Sequence, residues 1–231
     1  MAILDNIVGA WMFDESSGNA TDSSGNGNTL TNIGTATFTS GKINNAGTFN
    51  GTNQGFDRGN GASLTRTGAY SWNFWFKTNA WTYIFDHTSN SGGNNRIILY
   101  GDDATDCVHA YFNGNEVVSA TNSITLGTWY MATLTKGSGG TGTCELFLNA
   151  TSVGTTTFST AGSSLNELSF GKSVDEGAWL NGQIDLAATW TRVLTGAEIT
   201  SLYNGGAGLA YPFSGGGGGA ILPQFKGFAR L

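Results

Sequence analysis

Acidic side chains are the first place to look for chemistry in this chain, because its 16 Asp and Glu outnumber its 10 Lys and Arg. Cutting a glycosidic bond needs two carboxyl groups, and a retaining pair stands about 5–5.5 Å apart. Two carboxylates alternating on one strand face would provide that spacing. No stretch has it. Asp14-Glu15 and Asp175-Glu176 are adjacent pairs that would point to opposite faces if extended, and Asp102-Asp103-Ala104-Thr105-Asp106 follows Gly101 and reads as a loop. A Gly-x-Ser-x-Gly elbow, a phosphate-cradling loop and a His-Glu zinc helix are missing too. Catalysis is therefore not expected.

Binding chemistry has more to work with. Asp22-Ser23-Ser24-Gly25-Asn26-Gly27-Asn28 gathers hard oxygen donors, and calcium takes roughly six to eight of them. Two readings stand: a cation site that includes Asp22 and Asn26, or an Asx-turn in which Asp22 caps its own backbone. The Asp102–Asp106 segment is either a second cation site or a solvated acidic loop. Trp81, in Asn79-Ala80-Trp81-Thr82-Tyr83, and Trp179, in Glu176-Gly177-Ala178-Trp179-Leu180-Asn181, lie nearest to loops. Each is either a platform for a glycan ring or a lid on the core edge. Cys107 and Cys144 are either separate buried thiols or sheet neighbours close enough to bridge, a matter of Cα separation. With only His87 and His109 beside them, a four-ligand zinc site is not expected.

Short strands must position these residues. Charged residues make up 11% of the 231, against 36 Gly, which is the makeup of strands joined by tight turns. In Tyr70-Ser71-Trp72-Asn73-Phe74-Trp75-Phe76-Lys77, residues 70, 72, 74 and 76 share one face while Trp75 bulks out the other, so this strand should be central and covered on both sides. Trp129–Thr135, the Gly-rich turn at 137–140 and Cys144–Leu148 read as a hairpin. Further strands are expected at Val8–Phe13, Ala46–Asn50, Arg96–Tyr100, Val108–Phe112, Glu116–Ala120, Leu165–Gly171 and Gln183–Trp190. Ten strands suffice for an antiparallel two-sheet sandwich whose inner faces form one core. Trp11, Trp72, Trp75, Trp129 and Trp190 fall inside strands and are assigned to the core. One short C-terminal helix is signalled by a capping box, Thr195 to Glu198, ahead of Ile199, Leu202 and Tyr203; Asn204-Gly205-Gly206 ends it.

The sandwich is expected to span 1–213. Ser214 and five glycines, 214–219, then form a tether. Residues 220–231 are apolar and basic, and read either as a frayed terminus or as a docking peptide that uses Ile221, Leu222, Phe225, Lys226, Phe228 and Arg230; exposing so many apolar groups favours docking. The net charge of -6 and pI near 4.7 oppose attraction to nucleic acid or an anionic membrane. No run approaches 18 apolar residues. The opening MAILDNIVGAW has no basic region and is interrupted by Asp5, so it does not read as a secretory signal, and synthesis in a cytoplasm is expected.

Several of these stretches, in order over residues 7–206, resemble laminin-G-like, concanavalin A-like domains of bacterial and phage proteins. They are Val8-Gly9-Ala10-Trp11-Met12-Phe13-Asp14 with the following Asp22–Asn28 turn, Thr48-Phe49-Asn50-Gly51-Thr52, Asn73-Phe74-Trp75-Phe76-Lys77, Gly127-Thr128-Trp129-Tyr130, Phe170-Gly171-Lys172, Gly182-Gln183-Ile184-Asp185, and Leu194 through Tyr203. The resemblance implies an all-β jelly roll. It implies that Asp22 and Asp185 would flank a structural calcium ion. It also implies a glycan hydrolase would show Glu-x-Asp-x-(x)-Glu on a strand, which this chain lacks. The end of the domain, Leu202 through Phe213, looks like versions found in phage structural proteins. By analogy the chain is expected to be a non-enzymatic virion module, synthesised in a host cytoplasm and displayed on the particle surface. It would be anchored to other virion proteins by its tail, able to self-associate and to bind host-surface glycans. The alternatives are a free-standing calcium-dependent lectin-like module and a glycan hydrolase, which fold alone does not separate.

Overall fold

The alternating rings of Tyr70–Phe76 become a central strand in the computed structural model, which describes residues 2–59, 68–88, 96–138, 142–158, 167–174 and 177–214. In chain order the strands are β1 (Ile7–Trp11), β2 (Thr31–Ile33), β3 (Thr37–Ser40), β4 (Asn45–Asn50), β5 (Gly55–Arg58), β6 (Tyr70–Thr78), β7 (Tyr83–Thr88), β8 (Arg96–Asp102), β9 (Cys107–Phe112), β10 (Asn115–Val118), β11 (Tyr130–Lys136), β12 (Thr143–Leu148), β13 (Thr151–Thr157), β14 (Glu167–Phe170) and β15 (Asn181–Trp190). One α-helix, α1 (Gly196–Tyr203), follows. The larger sheet runs β13-β12-β11-β6-β15-β4-β3, with β1 added along β15; the smaller runs β10-β9-β8-β7-β14-β5-β2. The strand pairings are antiparallel.

Between the sheets, Trp72, Phe74 and Phe76 of β6 meet Phe85, Leu99, Phe112 and Phe170 from the smaller sheet. Each such ring removes about 150–250 Å² from water, and packs edge-on or offset as its quadrupole prefers; Phe74 and Phe170 lie 5.6 Å apart at 78°. Trp75 faces the other way, as the alternation requires. There it joins Met131, Leu186 and Trp190 in a second core, closed by Ile199 and Leu202 of α1 and by Leu209 and Phe213. Tyr203 stacks on Trp75 at 5.7 Å and 9°. The helix therefore seals the outer face of the larger sheet. Both halves of its capping box are present, and Asn204 ends it in the left-handed region.

Two buried polar devices hold the frame. Arg192 donates to both oxygens of Glu198, at 2.8 and 2.6 Å, and to the carbonyls of Ala2 and Asp5, at 3.1 and 2.9 Å. It thereby ties the N-terminal segment to the start of α1. Asp185 sits where the register of β15 shifts, beside Leu186 at φ 51, and accepts N–H bonds from Lys42, Ile43 and Leu186 at 2.8, 3.0 and 2.7 Å. The Leu186 amide would otherwise be orphaned by the bulge, and the other two by the turn between β3 and β4.

Among the described residues fifteen strands stand where the sequence reading found ten. β2 and β3 are short edge pieces, β13 is an edge strand of mostly Thr, Ser and Gly, β5 has four residues, and β7 carries buried Asp86 and His87 that break the apolar alternation. Trp129 is a partial correction: it precedes β11 rather than lying in it, and it is half-buried, packed against the second core with the Lys77 ammonium 5.1 Å from its ring centre. The two cysteines are free thiols in different sheets, Cys107 on β9 and Cys144 on β12. Burial pushes the Cys144 thiol up to about 12, against the pull of the Lys136 charge. Among the described residues no helix is long and apolar enough to cross a membrane. Asp175, Glu176, Leu165 and residues 215–231, with the five glycines of the tether and Ile221, Leu222, Phe225, Lys226, Phe228 and Arg230, lie outside the described residues.

Candidate functional site

The outward side chains of the smaller sheet form rows fixed by strand register. One row runs Asp57–Ser169–Asp86–Ile98–Tyr111–Glu116 across β5, β14, β7, β8, β9 and β10. The next runs Tyr83–Tyr100–His109–Val118, and beyond it Asp102 pairs with Cys107. Inward positions of the same strands, such as Leu99, Val108 and Ala110, belong to the core. Period-two alternation thus delivers polar and aromatic groups to one face.

Residues 172–174 fold over part of this face. Arg96 and Asp86 form an ion pair of 2.6 Å beneath them, with side-chain exposures of 6% and 0%. Arg96 also donates to the Ser173 hydroxyl at 3.1 Å, and the Val174 N–H donates to Asp86 at 3.0 Å. A buried pair of this kind latches the connection between β14 and β15 to the sheet.

Trp179 lies in that connection. It is half-buried, bridges to Lys172 through the backbone, and is absent from the residues packed against either core. Lys172 holds its ammonium 5.9 Å from the indole centre and 3.0 Å from the Asp57 carboxylate, while its stem occupies the space above Gly55 where a side chain would stand. Exposed Asn181 follows two residues later. The result is an aromatic surface beside a cation that is itself paired with a carboxylate.

The other expected site residues fall elsewhere. The benzo ring of Trp81 fills the space next to Gly101 and packs against the inter-sheet core, so it closes the core's rim. Asp22 accepts the N–H of Ala10 at 3.0 Å, of Ser24 at 2.9 Å and of Asn28 at 2.9 Å, and the Ser24 hydroxyl at 2.6 Å. Asn26 turns its amide nitrogen to the Ile7 carbonyl and the Ser24 hydroxyl, each at 3.1 Å. Asp185 serves the bulge described above, and burial pushes its carboxyl up to about 7 against the pull of its three N–H donors. As arranged, Asp22 and Asp185 each serve a separate stretch of the chain's own backbone.

Sequence reasoning missed two parts of this face. The Arg96–Asp86 latch joins strands across residues 89–95, and no local pattern announces it. Asp102 converges with Cys107 and His109, with one ligand atom from each lying within 4.8 Å of the others. The i, i+2 spacing of Cys107 and His109 was the available signal.

A shallow groove of about 640 Å³ lies on another part of the molecule, lined by small polar residues such as Asn19, Asn32 and Thr37 and by Phe38. Phe38 packs against Phe56 at 5.4 Å, so its ring is committed to the core edge.

A family model described as the concanavalin A-like lectin/glucanases superfamily matches residues 50–200. No curated protein matches the sequence. Among solved structures, the chain is similar to domain 4 of AbnA, an extracellular arabinanase from Geobacillus stearothermophilus, determined in complex with arabinotriose. That likeness has a TM-score of 0.64 at 20% identity, covering 84% of this chain and 97% of that one. It is also similar to the binding domain of Paraclostridial Mosquitocidal Protein 1, with TM-score 0.67, 13% identity and coverage of 88% and 53%. The binding domain of botulinum neurotoxin DC in complex with SialylT gives TM-score 0.66, 14% identity and coverage of 88% and 52%. The chain thus spans about half the length of these toxin binding domains. At such identities the likenesses establish a shared fold.

Proposed function

The chain belongs to the concanavalin A-like lectin/glucanases superfamily, and on that premise we propose that it is a non-catalytic, lectin-like carbohydrate-binding module that docks a sugar ring on Trp179. The observation that carries this reading is a half-exposed indole outside both cores, flanked by the Lys172–Asp57 pair. Stacking on the indole would supply apolar contact, and the flanking groups would hydrogen-bond ring hydroxyls. Two observations support the non-catalytic part: none of the described strands carries two carboxylates, and Asp86 is committed to Arg96. The arabinanase domain was solved in complex with arabinotriose, and the toxin binding domain, of which this chain covers 52%, in complex with SialylT, which supports a carbohydrate ligand here. Trp179→Ala should weaken binding on a glycan array, and in titration against the best hit, by at least tenfold, with the melting temperature unchanged. Retained affinity in that variant would move the site elsewhere, and Phe38→Ala in the shallow groove is the comparison.

Display on a phage particle is a second reading, favoured by the apolar, acid-free and basic character of residues 220–231. Deleting 214–231 should abolish incorporation into particles while leaving a folded sandwich. Normal incorporation of the truncated form would remove this reading and leave the carbohydrate module standing.

A further inference from the structure

Cys107 and His109 alternate on the outer face of β9, and Asp102 stands opposite Cys107 across the β8–β9 hairpin. The sulfur lies 3.5 Å from His109 Nε2, and that nitrogen lies 3.9 Å from Asp102 Oδ2. A tetrahedral zinc ion, with bonds of about 2.3 Å to sulfur and 2.0–2.1 Å to nitrogen, holds those two donors about 3.5 Å apart. The Asp102 oxygen is set wider, 3.9 Å from that nitrogen with the three ligand atoms within 4.8 Å of one another, so this carboxylate, 31% exposed, swings inward to bind.

The imidazole is already aimed. Its Nδ1 faces Glu116 Oε2 at 3.3 Å, and Glu116 Oε1 accepts the Tyr100 hydroxyl at 2.7 Å. The Tyr100 ring stacks on the imidazole at 4.8 Å and 17°. A carboxylate on the far nitrogen of a metal-ligating histidine fixes its tautomer and orientation. Thr105 holds the other two donors: its hydroxyl donates to Asp102 at 2.8 Å and lies 2.9 Å from the Cys107 sulfur.

We propose that Asp102, Cys107 and His109 form a binding site for a zinc-class divalent ion, with Glu116 positioning His109 and solvent in the fourth place. Counting histidines for a four-ligand site hides this arrangement, because three protein ligands of mixed type suffice when one position stays open. On binding, the Cys107 thiol proton leaves to solvent as the thiolate–metal bond forms. The site is separate from Trp179 and does not depend on carbohydrate binding.

The test is titration of chelator-treated full-length protein with zinc chloride by calorimetry, and with cobalt chloride by absorption. One ion per chain is expected, with a thiolate-to-cobalt charge-transfer band in the near ultraviolet. The band should persist in Cys144→Ala and vanish in Cys107→Ser. Zinc affinity should fall at least about 100-fold in His109→Gln and in Asp102→Asn, and about 10–100-fold in Glu116→Gln. Far-ultraviolet dichroism reports whether each variant is folded, and a misfolded Cys107→Ser leaves the other three to decide. No bound ion in the wild type, or undiminished zinc affinity in the folded His109→Gln and Asp102→Asn variants, would overturn the proposal.

Discussion

Replacing Asp86 by Ala should lower stability by about 3–5 kcal/mol, because it leaves the Arg96 guanidinium beneath residues 172–174 without its carboxylate. For a chain of this size that is a fall of roughly 6–20 °C in melting temperature. The cost comes from breaking a desolvated pair, so replacing both partners with apolar residues of similar volume should recover most of it. The double variant Asp86→Leu with Arg96→Met separates the two consequences. It would be stable, yet the bonds from Arg96 to the Ser173 hydroxyl and from the Val174 amide to Asp86 would be gone, so sugar binding at Trp179 should remain impaired. Denaturant unfolding beside sugar titration reads both quantities. A stable Asp86→Ala single variant would refute the latch.

Arg192→Ala should cost a similar amount, about 3–5 kcal/mol, since Glu198 then stays buried without its partner and the carbonyls of Ala2 and Asp5 lose their donor. Its pH signature distinguishes it from a packing defect. Burial alone would raise the Glu198 carboxyl; the two-pronged Arg192 pair and the Thr195 amide and hydroxyl outweigh it and hold it near 2, against an ordinary 4.5. A depressed folded value means the stabilisation is fully present above the unfolded value and disappears as pH falls from about 4.5 toward 2. The magnitude is on the order of 3 kcal/mol. The gap between wild type and Arg192→Ala should therefore narrow across that window, down to the part that comes from the Ala2 and Asp5 carbonyls. A constant gap down to pH 2 would show that the ion pair is not the source.

The parts of this fold that were legible are those where one segment states its own geometry. Tyr70–Phe76 announces a strand covered on both sides, and β6 has a core on each face. The β11–β12 hairpin and the helix from Thr195 to Asn204 carry their turn and cap signals within a few residues. What was hidden depends on two segments meeting. β13 has only Val153 as a large apolar residue, so its strand character comes from pairing with β12 at the sheet edge. Asp86 and His87 look like interruptions until Arg96 and the Trp72 indole arrive as their partners. The same holds for function. Trp179 could be nominated from its loop, but the Lys172–Asp57 pair beside it spans more than a hundred residues. The Cys107–His109 spacing was visible, while Asp102 joined it only through hairpin register.

In the larger sheet, β15 lies between β6 on one side and β4 with β1 on the other, with Ile7 paired to Trp190. During synthesis on a ribosome the first strand therefore emerges long before its mate, and β4 and β6 wait beside an unfilled gap until the chain has grown past residue 190. Each sheet can zip three hairpins vectorially, β7 to β10 in the smaller and β3–β4 with β11 to β13 in the larger, and each then waits for a late central strand, β14 or β15. Nascent chains would carry the rings of β6 half-covered through most of elongation, which makes the last strand made the one that commits the whole domain.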